Sequence, residues 1–228
     1  MHRWTPTPRL TDCLLHGPDS GAELFVVEGD SAAAAVAAAR DPLRQAVLAL
    51  QGKPLNSLRA PAARVAADPF LRALAEALGL QPGPGCTLAG LRYERLLLLH
   101  DPDADGIHIG ALLLMHVHRW LRPLLDAGRL ERVLAPVGQV HAGLGHPAAP
   151  AFSDAHFRAL CDRARALHGA AFVAVRYRGL AAIGRPMLRH ACLEPATRLT
   201  TVLHADDARH AIRLLGGQGA PAPATAPA

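Results

Sequence analysis

The apolar residues of this chain gather into short runs that end abruptly in polar turns. Glu23–Val27 (E-L-F-V-V), Ala46–Leu50 and Arg95–Leu99 (R-L-L-L-L) are three of them. Each has strand length and no polar alternation, the pattern of strands buried on both faces. Arg132–Ala135 and Phe172–Arg176 are further strand candidates. Between these runs the spacing turns helical. An alanine-rich stretch runs to Arg40, and Asp30 or Ser31 can cap its start. Asp68–Leu80 sets Phe70, Leu71, Leu74 and Leu78 on one side and stops at Q-P-G-P-G. Ile109–Arg122 is apolar on most sides and precedes Pro123; Ser153–Leu167, with Ser153 or Asp154 as cap, and Asp206–Leu215 complete the helices. Strands alternating with helices predict an α/β fold, a mainly parallel sheet flanked by helices. Residues 1–20 are Pro-rich and polar and read as a loose lead-in. Residues 216–228 (G-G-Q-G-A-P-A-P-A-T-A-P-A) are low-complexity and read as a disordered tail.

Composition narrows the function classes. At 228 residues and 24.0 kDa the chain has room for one packed domain, or for a domain with a small appendage. Alanine accounts for 46 residues and aromatics for only 4%, which argues against a base-stacking platform. No apolar run approaches the ~18 residues of a membrane span, and the N-terminus lacks a secretory signal pattern; a cytoplasmic protein is expected. Cys13, Cys86, Cys161 and Cys192 lie far apart and form no zinc or disulfide framework. The formal net charge is +5, and 23 of the 24 basic residues are arginine, Lys53 being the one lysine. Arginine forks suit phosphate, so a nucleic-acid partner fits, although a modest basic excess alone is weak support.

In open parallel sheets, ligands bind at the carboxyl ends of the strands. Two predicted strands end in acids there: one in Glu28 and Asp30, the other in Asp101, Asp103 and Asp105. Aspartates at alternate positions of a turn can converge on a hard cation such as Mg2+. Read as an EF-hand, D-x-D-x-D-G would need a glutamate where Leu112 stands and a preceding helix where a strand is expected. The plainer alternative is that the acids are solvated turn residues. His116 and His118 sit two apart on a helix and cannot chelate one metal; His100 and His108 flank the acids.

Glu28-Gly29-Asp30-Ser31-Ala32 and Asp101-x-Asp103-x-Asp105-Gly106-x-His108-Ile109 resemble the two signatures of the Toprim domain, more narrowly that of the B subunits of bacterial DNA gyrase and topoisomerase IV. The likeness continues in order. Leu10–Cys13 is similar to L-A-D-C, Leu50–Asn56 to L-R-G-K-I-L-N, Ala77–Gly79 to A-L-G and Leu91–Tyr93 to L-R-Y. Arg176–Leu180 is similar to R-Y-K-G-L and Glu194–Arg198 to N-P-E-T-R. The resemblance implies a Toprim fold, Rossmann-like, over residues 21–140, with residues 141–215 as the C-terminal extension of the B-subunit region. It implies that Glu28, Asp101 and Asp103 hold Mg2+, with Mn2+ able to substitute, and that Asp105 supports the cluster. Glu28 is then the catalytic carboxylate. The metal would stabilise the leaving 3′ oxygen while a tyrosine of a partner A subunit attacks DNA. Asp30 has a helix-cap role as an equal alternative. Lys53 and Arg178 would face DNA phosphate, and Tyr93 and Tyr177 would be structural.

The departures from the family are specific. Ala33-Ala34 replaces Gly-Gly, Gln51 replaces an arginine, Pro102 stiffens the acidic turn, and Ala181-Ala182-Ile183 replaces G-E-M. With no ATP-binding region evident, the expectation is an ATP-hydrolysing topoisomerase of type IIA that is incomplete alone, working with an A subunit and an ATPase on a separate chain. The alternatives are a non-catalytic B-subunit paralogue that binds topoisomerase or DNA, and a free-standing Toprim nuclease.

Overall fold

The computed structural model describes residues 7, 9–141, 143 and 147–215, so the expected disorder of 216–228 falls outside the described residues. Six strands form the main sheet: β1 Leu10–Thr11, β2 Glu23–Glu28, β3 Gln45–Leu50, β4 Arg95–Leu98, β5 Leu130–Val133 and, late in the chain, β9 Thr200–Val202. Their order is β1-β3-β2-β4-β5-β9; the central four run parallel and the two edge strands antiparallel. A smaller antiparallel sheet joins β6 Gly138–His141, β7 Ala149–Ala151 and β8 Val173–Arg176 in the order β7-β6-β8.

The helices are α1 Asp30–Ala39, α2 Ala62–Ala67, α3 Pro69–Leu78, α4 Ala104–Trp120, α5 Arg122–Asp126, α6 Asp154–His168, α7 Arg185–Leu188 and α8 Ala205–Leu215. The continuous apolar strands feed two cores. Leu24, Val26, Leu48, Leu96 and Leu98 point to one side, against Leu74 and Leu78 of α3 and Ile109 and Leu113 of α4. Phe25, Val27, Val47, Leu97 and Leu99 point to the other, against Val36 of α1 and Leu188 of α7. A half-polar strand could not have supplied both faces. α6 packs on the small sheet.

Start and stop signals explain most boundaries. Asp68 caps α3 by accepting the Leu71 N–H at 2.9 Å, Pro69 occupies its first turn, and Gly79 ends it in the left-handed conformation. Ser153 caps α6 as expected. α1 departs from expectation, since Gly29 stands at its N-cap with no side-chain cap. α4 departs more, starting five residues before Ile109. Asp103 caps it, accepting the Gly106 N–H at 2.8 Å, and Asp105 falls in its first turn. The acidic turn is therefore half helix. The lead-in is also more ordered than its composition suggests, because Leu10–Thr11 pairs with β3 and Cys13 is buried.

Candidate metal centre

The strand order places the acids. From β2 the chain crosses by α1 to β3, then returns past β2 to β4 and moves on to β5. Consecutive crossovers thus leave β2 and β4 in opposite directions. Between the carboxyl ends of such neighbours lies the crevice in which open α/β sheets bind ligands. Glu28 is the last residue of β2, and β2 pairs in parallel with β4, whose carboxyl end leads into Asp101. The two acidic turns of the sequence open on this one crevice.

The carboxylates sense one another. Burial first, then the charges of Asp101, Asp103 and Asp105, push the Glu28 carboxyl above its usual range, while Lys53 opposes them. Burial and the charge of Asp103 likewise raise Asp101, against a bond from the backbone of Leu180. Crowding of like charge of this kind is what a bound cation relieves. The donors are all carboxylate oxygens, the kind preferred by Mg2+, so the donor chemistry fits a magnesium ion, although Glu28, Asp101 and Asp103 do not bring their oxygens within 4.8 Å of one another as they stand.

Each aspartate also has its own partner. Asp101 Oδ1 accepts the Leu180 N–H at 2.7 Å, Asp103 Oδ1 accepts from Gly106, and Asp105 Oδ1 pairs with Lys53 Nζ at 2.8 Å. An ionised carboxylate has more lone pairs than one such bond uses. Gly106 is required by a close approach: a Cβ there would lie 2.1 Å from the Asp101 carbonyl oxygen. Asp30, exposed in the first turn of α1, accepts from Gln51 Nε2 at 3.0 Å, which gives the departure at position 51 a local partner.

Lys53 is therefore ion-paired within the acidic cluster, and Asp105 holds its ammonium above the usual range. Arg178 is exposed, one residue before the glycine that touches Asp101. The tyrosines are structural: Tyr93 donates to Asp12 and Tyr177 to Gln139, each at 2.6 Å. His116 is buried and His118 half-buried, as their different helix faces require. The residues that the sequence did not mark as part of the site are Gly179 and Leu180, which reach Asp101 from 79 positions along the chain. They were visible only as the end of R-Y-R-G-L.

A second polar cluster lies elsewhere. The ligand atoms of Asp12, Cys13 and His16 fall within 4.8 Å of one another, the one such set among the described residues. An arginine already fills it: Arg92 Nη2 stands 2.6 Å from Asp12 Oδ2 and 2.7 Å from His16 Nε2. Burial raises the Cys13 thiol to about 11, so it is not a ready ligand. The cluster reads as an ion-pair network fixing the lead-in.

The Toprim domain family matches residues 23–133. The DNA topoisomerase 4 B subunit of Enterococcus faecalis is 30% identical over 193 residues, 84% of this chain and 28% of that protein. The DNA gyrase B subunit of Thermus thermophilus is 32% identical over 221 residues, 93% of this chain and 34% of that protein. The DNA topoisomerase 4 B subunit of Pseudomonas aeruginosa is 34% identical over 209 residues, 91% of this chain and 32% of that protein. The chain spans about a third of the length of these curated relatives. Among the described residues no helix is long and apolar enough to cross a membrane. The sheet order, the two acidic turns at its switch point and these matches lead to one assignment: the chain holds a Toprim domain and is related, over most of its length, to the B subunits of DNA gyrase and topoisomerase 4.

Proposed function

We propose that the crevice between β2 and β4 binds Mg2+, or Mn2+ in its place, through Glu28, Asp101 and Asp103, and that the chain is the metal-binding module of a type IIA topoisomerase of the gyrase kind, equivalent to part of its B chain. It would act on DNA with a partner A subunit and an ATPase. The observation that carries this reading is that Glu28 lies within the electrostatic reach of all three aspartates at the switch point of the sheet.

When bound, the metal supplies positive charge to the oxygens of a phosphoryl transfer. The rest falls to the chain. Asp101 and Asp103 are fixed by backbone N–H donors and so present their oxygens in defined directions. Asp105 is held to one side by Lys53 and tunes the cluster through charge. Glu28, the last residue of β2, would complete the ligand set from the neighbouring strand as the ionised, catalytic carboxylate. Arg178, exposed beside this edge, would meet DNA phosphate, and Lys53, half exposed, would do so with donors that Asp105 does not use.

Isothermal titration with Mn2+ tests the site. The chain should bind the ion, and the Asp101→Ala/Asp103→Ala double variant should lose binding; equal binding by that variant would reduce the acids to turn residues. Function is tested by DNA cleavage with Mg2+ and a gyrase-type A subunit, which Glu28→Gln should suppress. Nicking by the chain alone, lost in Glu28→Gln, would make it a nuclease instead. Tight docking on the A subunit without cleavage would make it a non-catalytic paralogue. Binding to DNA should weaken as salt rises, since it rests on phosphate contacts.

A further inference from the structure

The geometry points to the Gly179–Leu180 peptide, beyond the last residue of the Toprim match at 133, as a positioning element for Asp101. This rests on the metal reading of the acidic crevice and adds a part of the chain to it.

Three observations carry it. The Leu180 N–H donates to Asp101 Oδ1 at 2.7 Å. Gly179 has φ 151° and ψ 173°, a region that only glycine occupies without strain. A Cβ on Gly179 would lie 2.6 Å from Asp101 Oδ2 and 3.2 Å from its Cγ. The carboxylate thus rests against the face of the glycine while the next N–H holds one oxygen.

The donor is itself anchored on both sides. The Tyr177 N–H donates to the Val137 carbonyl at 3.0 Å, and the Tyr177 hydroxyl to Gln139 in the small sheet. After the peptide, the Leu180 side chain is 1% exposed, within the core that holds Phe25, Val36 and Leu99. Leu180–Ala182 forms a short 3₁₀ turn packed on α1. The extension therefore fixes the direction of the lone pairs that Asp101 has left for a cation. Partners of this outer kind orient metal ligands, and their loss costs about 10–100-fold in affinity. Mg2+ demands near-octahedral geometry whereas Ca2+ accepts irregular sites, so a turned Asp101 weakens Mg2+ more.

The test titrates the full chain with Mg2+ and, separately, Ca2+, each by displacement of Mn2+ followed by its EPR signal. Gly179→Ala should lower Mg2+ affinity by about tenfold or more and Ca2+ affinity less, with far-UV circular dichroism unchanged. In case alanine at this backbone angle disturbs folding, a second variant replaces the Leu180 amide by an ester, which removes only the N–H; the same fall in the Mg2+ to Ca2+ ratio is expected. Parental Mg2+ affinity in the ester variant, with Asp101→Asn losing the ion, overturns the inference and leaves the metal site standing. An equal loss of both ions together with a lower melting temperature makes the peptide a folding element only and also overturns it. Parental affinity in Asp101→Asn refutes the metal reading itself.

Discussion

Replacing Arg198 by methionine should lower the unfolding free energy by about 3–5 kcal/mol, the usual cost of stranding one member of a buried ion pair. Arg198 and Glu23 side chains are only 2% and 6% exposed. Arg198 Nη1 donates to Glu23 Oε2 at 2.7 Å, and Nη2 pairs with Oε1. The same guanidinium donates to the Leu193 carbonyl at 3.0 Å. Gln45 Nε2 completes the network, donating to Glu23 and to Leu193. Without Arg198, Glu23 is left in the interior with Gln45 as its remaining side-chain partner. The double variant Glu23→Leu/Arg198→Met should recover most of the loss, because a buried pair exchanged for apolar groups is often close to neutral. Urea denaturation checks both; a loss under about 1 kcal/mol for the single variant would place the pair among surface-like bridges. The pair also has a topological meaning. Glu23 opens β2 at the edge opposite the acids, so the extension is tied to the sheet at both edges: here by Arg198 and across the crevice by Leu180.

Acid should destabilise the fold through His116. Its ring is 1% exposed, and burial lowers its pKa to about 4 from an ordinary 6.5. Neither ring nitrogen has a hydrogen-bond partner among the described residues. Between pH 6.5 and about 4 the unfolded chain takes up a proton that the folded one refuses. Stability tied to the neutral ring is therefore complete above 6.5 and drains away as the pH falls through that window. A shift of this size corresponds to roughly 3 kcal/mol, a large fraction of the stability of an ordinary domain. His116→Leu should remove this part of the dependence, so the gap in melting temperature between variant and parent should widen from pH 7 to pH 4.5. Parallel melting curves at the two pH values would show that the ring titrates normally. Asp12, held at about 2 by its hydrogen-bonded partners against burial, adds a loss in the same direction at lower pH.

The sequence disclosed the parts of this molecule that depend on local chemistry. Runs such as R-L-L-L-L are buried on both faces because helices cover both sides of the sheet, and they were legible without any alignment of strands. The acidic turns were legible because each follows directly on a continuous apolar run, Leu24–Val27 or Leu96–Leu99. What escaped depends on distant partners. Ala149–Ala151 and Thr200–Val202 are short strands whose residues carry little signal of their own and gain it by pairing with β6 and β5. The start of α4 was hidden because Gly106, a poor helix former, reads as a turn residue, whereas its place in the first turn is set by contact with the Asp101 backbone. Asp105 and Lys53 were each marked, one for metal and one for DNA, but the spacing could not tell that they bond to each other. The approach of Gly179 to Asp101 belongs to the same class.

The ion pair at Lys53 has a practical corollary for solution chemistry. This chain carries a single lysine, and it sits in the acidic crevice, about half exposed and bonded to Asp105. Arginine supplies every other basic side chain apart from histidine. Amine-directed acylating reagents, which need the unprotonated form, thus find one side-chain amine in this chain, and Asp105 shifts it further toward the protonated form. The rate of labelling at Lys53 becomes a direct readout of whether Asp105 is holding it, and a cation or DNA that draws either group away would change that rate without any mutation or attached probe.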